Sequence, residues 1–275
     1  MAKLEYTFTN DTLFKTLFVR FPELLKKLVS ELLAIRLERI GQFEITNPEL
    51  SPERLAEKFC RLDVNMTVDG MKVDLEVQVA NEGDYPERSL YYWAREYSSA
   101  LAGGGNYSEL PRAVVISIME FKLFDCAEFH SEFQPLEVTR HTPLTDRMSL
   151  HYFELPKLPK IADGDNALKL WLALFKAKTE EEMKQVETLG GAVMEEAVNA
   201  YRHITTTNEF KEMERVRSRA RHNEASALHY AAKVEREKWE AVVAEKDAAL
   251  TEKDAILAEQ AALIAELRKQ IRDNN

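Results

Sequence analysis

Two spacings of apolar residues run along this chain. Phe14, Leu17, Phe18, Phe21, Leu25, Leu28 and Leu32 recur at helical intervals behind Asn10 and Asp11, and Pro22 interrupts them, which predicts a kink or the start of a second helix. From Phe59 to Ala80 the interval drops to two residues, the mark of two strands. Pro86 then opens an aromatic-rich helix to about Leu101, stopped by Gly103-Gly104-Gly105. Ala113–Met119 is nearly continuous in apolar residues and reads as a buried strand. Glu128–Glu137 and Met148–Leu155 read as two more strands, the second closed by Pro156. Leu168, Trp171, Leu172, Leu174 and Phe175 supply the core face of a later helix.

The pattern divides the chain into a mixed α/β region over 1–160, a helical extension over 161–208 and a long helix over 209–275. The last segment has no Gly or Pro and is rich in Ala, Glu, Lys and Leu. Val243, Leu250, Leu257, Ile264 and Ile271 recur every seven residues, a coiled-coil period. The companion seam positions are Trp239, Lys246, Lys253, Gln260 and Leu267, so half the seam is polar. A weak or dynamic coiled coil is expected, through which the chain forms a homodimer or higher homo-oligomer.

The strand pair carries the candidate chemistry. Apolar and polar residues alternate on both sides of Asp69-Gly70, a strong two-residue hairpin signal. A tight turn there sets Val68 opposite Met71, Asn65 opposite Asp74, Asp63 opposite Glu76 and Arg61 opposite Gln78. Asp63 and Glu76 then form a non-hydrogen-bonded pair, the closer kind, with Cα atoms ~4.5 Å apart. Leu62, Val64, Leu75 and Val77 share the other face and can pack on a helix. Opposed carboxylates on one sheet face are destabilising, and a bound divalent cation would offset them; hard oxygen ligands favour Mg²⁺, Mn²⁺ or Ca²⁺ over zinc. The pattern equally allows a solvated polar face on which Arg61 and Lys72 neutralise the acids, and a turn offset by one residue removes the pairing altogether.

Composition narrows the function. The 275 residues carry a net charge of −10, so broad phosphate binding by surface Lys and Arg is not expected, and DNA contact needs a local basic patch. No run approaches ~18 apolar residues, which predicts no membrane span. The opening Met1-Ala2-Lys3-Leu4-Glu5 lacks the apolar core of a secretory signal, so a cytoplasmic protein is expected. Cys60 and Cys126 are too few for a disulfide framework or a multi-cysteine zinc site. The six histidines show no ligand spacing, and His151, inside a strand, reads as a packed or surface residue.

Asp63 followed by Asp74-Leu75-Glu76-Val77-Gln78 resembles the PD-(D/E)xK nuclease motif with Gln in place of the usual Lys. In company with Asn10–Phe18, the Arg88…Tyr92…Arg95 helix, Gly105-Asn106-Tyr107 and His151–Lys157, the segment over about 5–205 is similar to the Rpn family of recombination-promoting nucleases and transposases. The resemblance implies a restriction-endonuclease-like core, a small mixed sheet flanked by helices, and Mg²⁺-dependent DNA cleavage linked to recombination or mobile elements. It implies Asp63 and Glu76 as metal ligands, with the Val77 carbonyl as a third, and Gln78 as the group that orients water or a phosphate oxygen. Gln78 carries no charge, so Lys15, Lys72 or Arg88 must supply the cation that the usual Lys provides. Asp11 is either a further site residue or a helix-start acid pairing with Lys15. The competing reading is a catalytically inactive nuclease-fold module for DNA binding or regulation.

Overall fold

The computed structural model describes residues 2–47, 64–101, 105–159 and 166–273. Among them the fold is mixed α+β, and a six-stranded sheet has the order β1-β2-β3-β4-β6-β5. Its strands are β1 (Phe43–Ile45), β2 (Val64–Val68), β3 (Met71–Gln78), β4 (Ala113–Met119), β5 (His130–Phe133) and β6 (Met148–Glu154). β3, β4 and β6 run parallel, and the other pairings are antiparallel.

The β2–β3 hairpin forms because its turn chemistry permits nothing looser. Asp69 and Gly70 both take positive φ, 47° and 82°, as a two-residue hairpin turn requires. The Asp69 carboxylate also accepts hydrogen bonds from the backbone N–H groups of Gly41 (3.0 Å) and Gln42 (2.7 Å). That tie leads the chain into β1 beside β2. The observed register, Val68↔Met71 through Asn65↔Asp74 to Val64↔Leu75, is the one the turn predicts.

Among the described residues six helices accompany the sheet: α1 (Asp11–Arg20), α2 (Pro22–Leu32), α3 (Tyr85–Ser99), α4 (Ala167–Lys176), α5 (Glu180–Thr206) and α6 (Asn208–Asp273). Asn10 caps α1 by accepting from the Leu13 N–H, and Pro22 at the start of α2 fixes the break between the two. α3 is the crossover that makes β3 and β4 parallel. It ends at Ser99, ahead of the glycine run, of which Gly103 and Gly104 lie outside the described residues. Thr179 and Glu182 form a reciprocal cap at the start of α5, and Gly191, at φ 57°, interrupts that helix midway.

Both sheet faces are covered. Val64, Met66, Val73, Leu75, Val114, Ile116 and Phe153 belong to the larger core, with Phe14 and Phe18 of α1 and Trp171 and Phe175 of α4. On the opposite face Val115, Met119, Leu150 and Tyr152 cluster with Tyr85 of α3. Every residue of β4 is buried, as expected of a strand at the centre of a covered parallel set. β5 is shorter than the stretch Glu128–Glu137 that patterning assigns to it. Pro135, which has no N–H to donate, ends the pairing, and Leu136 instead bridges Pro143.

By contact the chain divides into two compact units, 1–218 and 219–275. The second is the remainder of α6, a helix in which every residue from Glu235 to Gln270 is exposed.

Candidate functional site

β3 sends Val73 and Leu75 into the larger core, so its period of two turns Asp74, Glu76 and Gln78 toward the face beneath α3. Asp74 and Glu76 are each only 3% exposed, although both are acids. Polar groups around Glu76 offset that burial. Glu76 Oε2 accepts from Gln78 Nε2 at 2.9 Å and from the Tyr85 hydroxyl at 3.0 Å. Tyr85 OH also lies 2.8 Å from Ser117 Oγ, and Ser117 is the β4 neighbour of Glu76 in the parallel register. A phenol has one proton. With that proton given to Glu76, Ser117 donates to Tyr85, and the three groups form a directed chain ending on the carboxylate.

This environment holds the Tyr85 hydroxyl protonated. Burial pushes its pKa well above the ordinary value of 10, the negative charge of Glu76 adds to the rise, and Asp74 contributes further. Tyr152, whose hydroxyl is 2.5 Å from Ser89 Oγ, is also raised, by burial first and then by the charge of Glu76.

Arg88 closes the site from α3. Its Nη2 donates to Gln78 Oε1 at 2.9 Å, its Nη1 pairs with Glu82, and its guanidinium lies 5.0 Å from the centre of the Tyr85 ring. Gln78 is therefore held at both ends of its amide, by Glu76 on the nitrogen and Arg88 on the oxygen. Of the three cations suggested as substitutes for the missing Lys, Arg88 is the one bonded to Gln78. Lys72 bonds Thr67 Oγ1 at 3.2 Å across the hairpin, four residues and ~13 Å along the strand from Glu76. Lys15 is buried on α1, at 3% exposure. Asp11, on the first turn of α1, bonds the Thr12 N–H at 2.9 Å and accepts from Arg217 Nε, also at 2.9 Å. Of the other residues on that face of α3, Tyr92 is half-buried and Arg95 exposed.

Asp63, the acid expected to complete the site, lies outside the described residues, as do Arg61 and Leu62. Among the described residues no group of three or more His, Cys, Asp or Glu side chains surrounds a metal-sized space. The donor chemistry nevertheless suits a hard cation, since the anionic groups on this face of β3 are buried carboxylates, Glu76 and Asp74, without sulfur or imidazole among them. Val77, whose carbonyl is the third suggested ligand, sits between Glu76 and Gln78 and pairs with Ile118 of β4.

Tyr85 and Ser117 were not predictable from local spacing. One lies beside a proline at a helix start and the other inside an apolar strand, and only the sheet register brings both to Glu76. Of the two readings patterning allows for His151, packed or surface, the structure shows the first: it is buried in β6, with Nδ1 3.1 Å from His130 Nε2 of β5.

A small mixed sheet between helices, with acid-bearing β3 next to its central strand, is consistent with the PD-(D/E)xK nuclease fold. The family model described as PD-(D/E)XK nuclease family transposase matches residues 8–231, and the chain belongs to that family. No curated protein and no solved structure matches the chain. No described helix is long and apolar enough to cross a membrane.

Proposed function

We propose that the chain is a metal-dependent DNA endonuclease, cytoplasmic and acting in recombination or on mobile elements, with its site at the C-terminal end of β3. The observation that carries this reading is the unit Glu76–Gln78–Arg88: a buried carboxylate, a neutral amide locked beside it, and a permanent cation bonded to that amide. The end of a parallel strand beside its crossover helix is where open α/β sheets bind ligands.

Asp63, Glu76 and the Val77 carbonyl would hold a divalent cation, Mg²⁺ first and Mn²⁺ or Ca²⁺ as substitutes. When bound, such an ion supplies Lewis acidity and lowers the pKa of a coordinated water. Tyr85, fed by Ser117, fixes the rotamer of Glu76. Gln78 orients the attacking water or a phosphate oxygen. Arg88 places beside Gln78 the positive charge that a Lys at position 78 would have carried, which answers the charge missing from the motif. Asp11 and Lys15 are assigned supporting positions on α1, and Lys72 a phosphate contact further along the hairpin. Residues 1–160 form the nuclease-like core in this reading, 161–208 its helical extension, and 209–275 a self-associating coiled coil.

Nicking of supercoiled plasmid with and without Mg²⁺, in the wild type and in Asp63→Ala and Glu76→Ala, tests the proposal. Mg²⁺-dependent nicking lost in both variants is expected. Undiminished nicking in both overturns the site. The uncharged Gln78 at the motif's lysine position leaves one rival, an inactive nuclease-fold module for DNA binding or regulation; DNA binding without cleavage in the wild type would decide for it.

A further inference from the structure

The second unit carries a stripe of large apolar side chains that nothing in the unit covers. Trp239, Val243, Leu250, Leu257, Ile264 and Leu267 are 49–61% exposed, and a second ridge of Val242, Ile256 and Leu263 runs beside them. A helix with such a stripe buries it against a partner. We propose that the partner is a second copy of this chain lying antiparallel, with the two-fold axis passing beside Ile256. The inference rests on the self-association assigned above and is independent of the nuclease site.

The polar seam positions set the direction. In a parallel pair each seam residue meets its own copy, so Lys246 faces Lys246 of the partner subunit and Lys253 faces Lys253 of the partner subunit. Two like-charge layers inside one short seam select against that arrangement. In the antiparallel pair the two seam positions exchange. Lys253 packs against Leu257 of the partner subunit, Lys246 against Ile264 of the partner subunit, and Val243 against Leu267 of the partner subunit. Each lysine stem then covers an apolar side chain while its ammonium reaches solvent. Toward the ends Glu240 stands beside Arg268 of the partner subunit, opposite in charge, and at the axis the two copies of Asp254 meet with Lys253 of each chain beside them. The second ridge gains a role only in this direction. Positions that precede the seam meet one another in an antiparallel pair, so Ile256 faces Ile256 of the partner subunit, whereas in a parallel pair they would stand apart.

Disulfide trapping in the full-length chain, in a Cys60→Ser/Cys126→Ser background, reads the orientation, and sedimentation reads the stoichiometry. A dimer is expected. Ile256→Cys alone should cross-link to itself in most molecules. Val243→Cys alone should not, but should cross-link when mixed with Leu267→Cys. Replacing both Lys246 and Lys253 with Leu removes the bar to parallel pairing, and Val243→Cys in that background should begin to cross-link to itself. Self-linking of Val243→Cys with Ile256→Cys silent, both lysines being present, overturns the orientation. A monomer or a higher oligomer by sedimentation overturns the dimer, and neither result bears on plasmid nicking.

Discussion

Arg88 of α3 donates from Nη2 to the amide oxygen of Gln78 at 2.9 Å, so the residue that departs from the usual nuclease motif is bonded to a guanidinium ten positions further along the chain. The crossover helix thus sets a guanidinium beside the uncharged Gln78. Arg88→Ala is expected to lower the plasmid-nicking rate by roughly 10²-fold, the scale for loss of one group that stabilises developing charge. Arg88→Lys should recover little, because an ammonium cannot span Gln78 and Glu82 as the planar fork does. Single-turnover nicking rates at fixed salt check both.

Tyr85→Phe removes the hydroxyl that joins Ser117 to Glu76 and leaves the ring in place. The expected stability cost is about 1–2 kcal/mol, one net hydrogen bond together with an underserved buried acceptor. Cation affinity should fall several-fold as the carboxylate loses its orientation. Calorimetric titration of Mn²⁺ into the two proteins, with urea midpoints alongside, separates the effects. Unchanged affinity would remove Tyr85 from the site.

The fold was legible in the sequence where local chemistry has a single solution. Asp69-Gly70 dictates a turn, the turn dictates a register, and the register puts Glu76 and Gln78 on one face, all within ten residues. Pro22 marks the α1–α2 break for the same kind of reason, since a missing N–H acts locally. β1 leaves no legible mark in the sequence, because three residues are too few for a period and its position depends on Asp69 bonding Gly41 and Gln42 from a distant turn. The interruption at Gly191 carries no sequence signal beyond the Gly190-Gly191 pair, which a helix can also tolerate. The Asp11–Arg217 pair and the Ser117–Tyr85–Glu76 chain lay beyond reach for a different reason. Each joins residues from separate elements, and only the assembled fold brings them together.

The His130–His151 pair gives the fold a pH dependence. The His151 pKa is lowered from 6.5 to about 4, by burial first, with Glu132 opposing and His130 and Arg112 adding to the fall. His130 is also lowered by burial. A group whose folded pKa lies below its unfolded value contributes stability that is complete above the unfolded pKa and lost as pH falls through the folded one. Stability should therefore decline between about pH 6.5 and pH 4, by up to roughly 3 kcal/mol from His151. Urea midpoints across that range check it, and His151→Phe, stacking on His130 and Phe153, should flatten the slope.

Lys157 and Glu154 form an ion pair at 2.6 Å with side chains 4% and 0% exposed. Lys157 also donates to the Phe124 carbonyl at 2.7 Å, and Glu154 accepts from the Leu123 and Phe124 N–H groups. The pair fastens the loop after β4 to the end of β6. Lys157→Ala leaves a buried carboxylate without its cation and should cost about 3–5 kcal/mol. A thermal melt reads the loss directly, and a change below about 1 kcal/mol would show that the loop is held elsewhere.

The central claim is that the Glu76 carboxylate serves the cleavage of DNA. Glu76→Gln tests it most directly, since the amide keeps the size of the side chain and can still accept from Tyr85 while losing the charge that would hold a cation. Plasmid nicking in Mg²⁺, with both proteins matched for melting temperature, should fall by at least about 10³-fold. Equal nicking by wild type and Glu76→Gln would contradict the account.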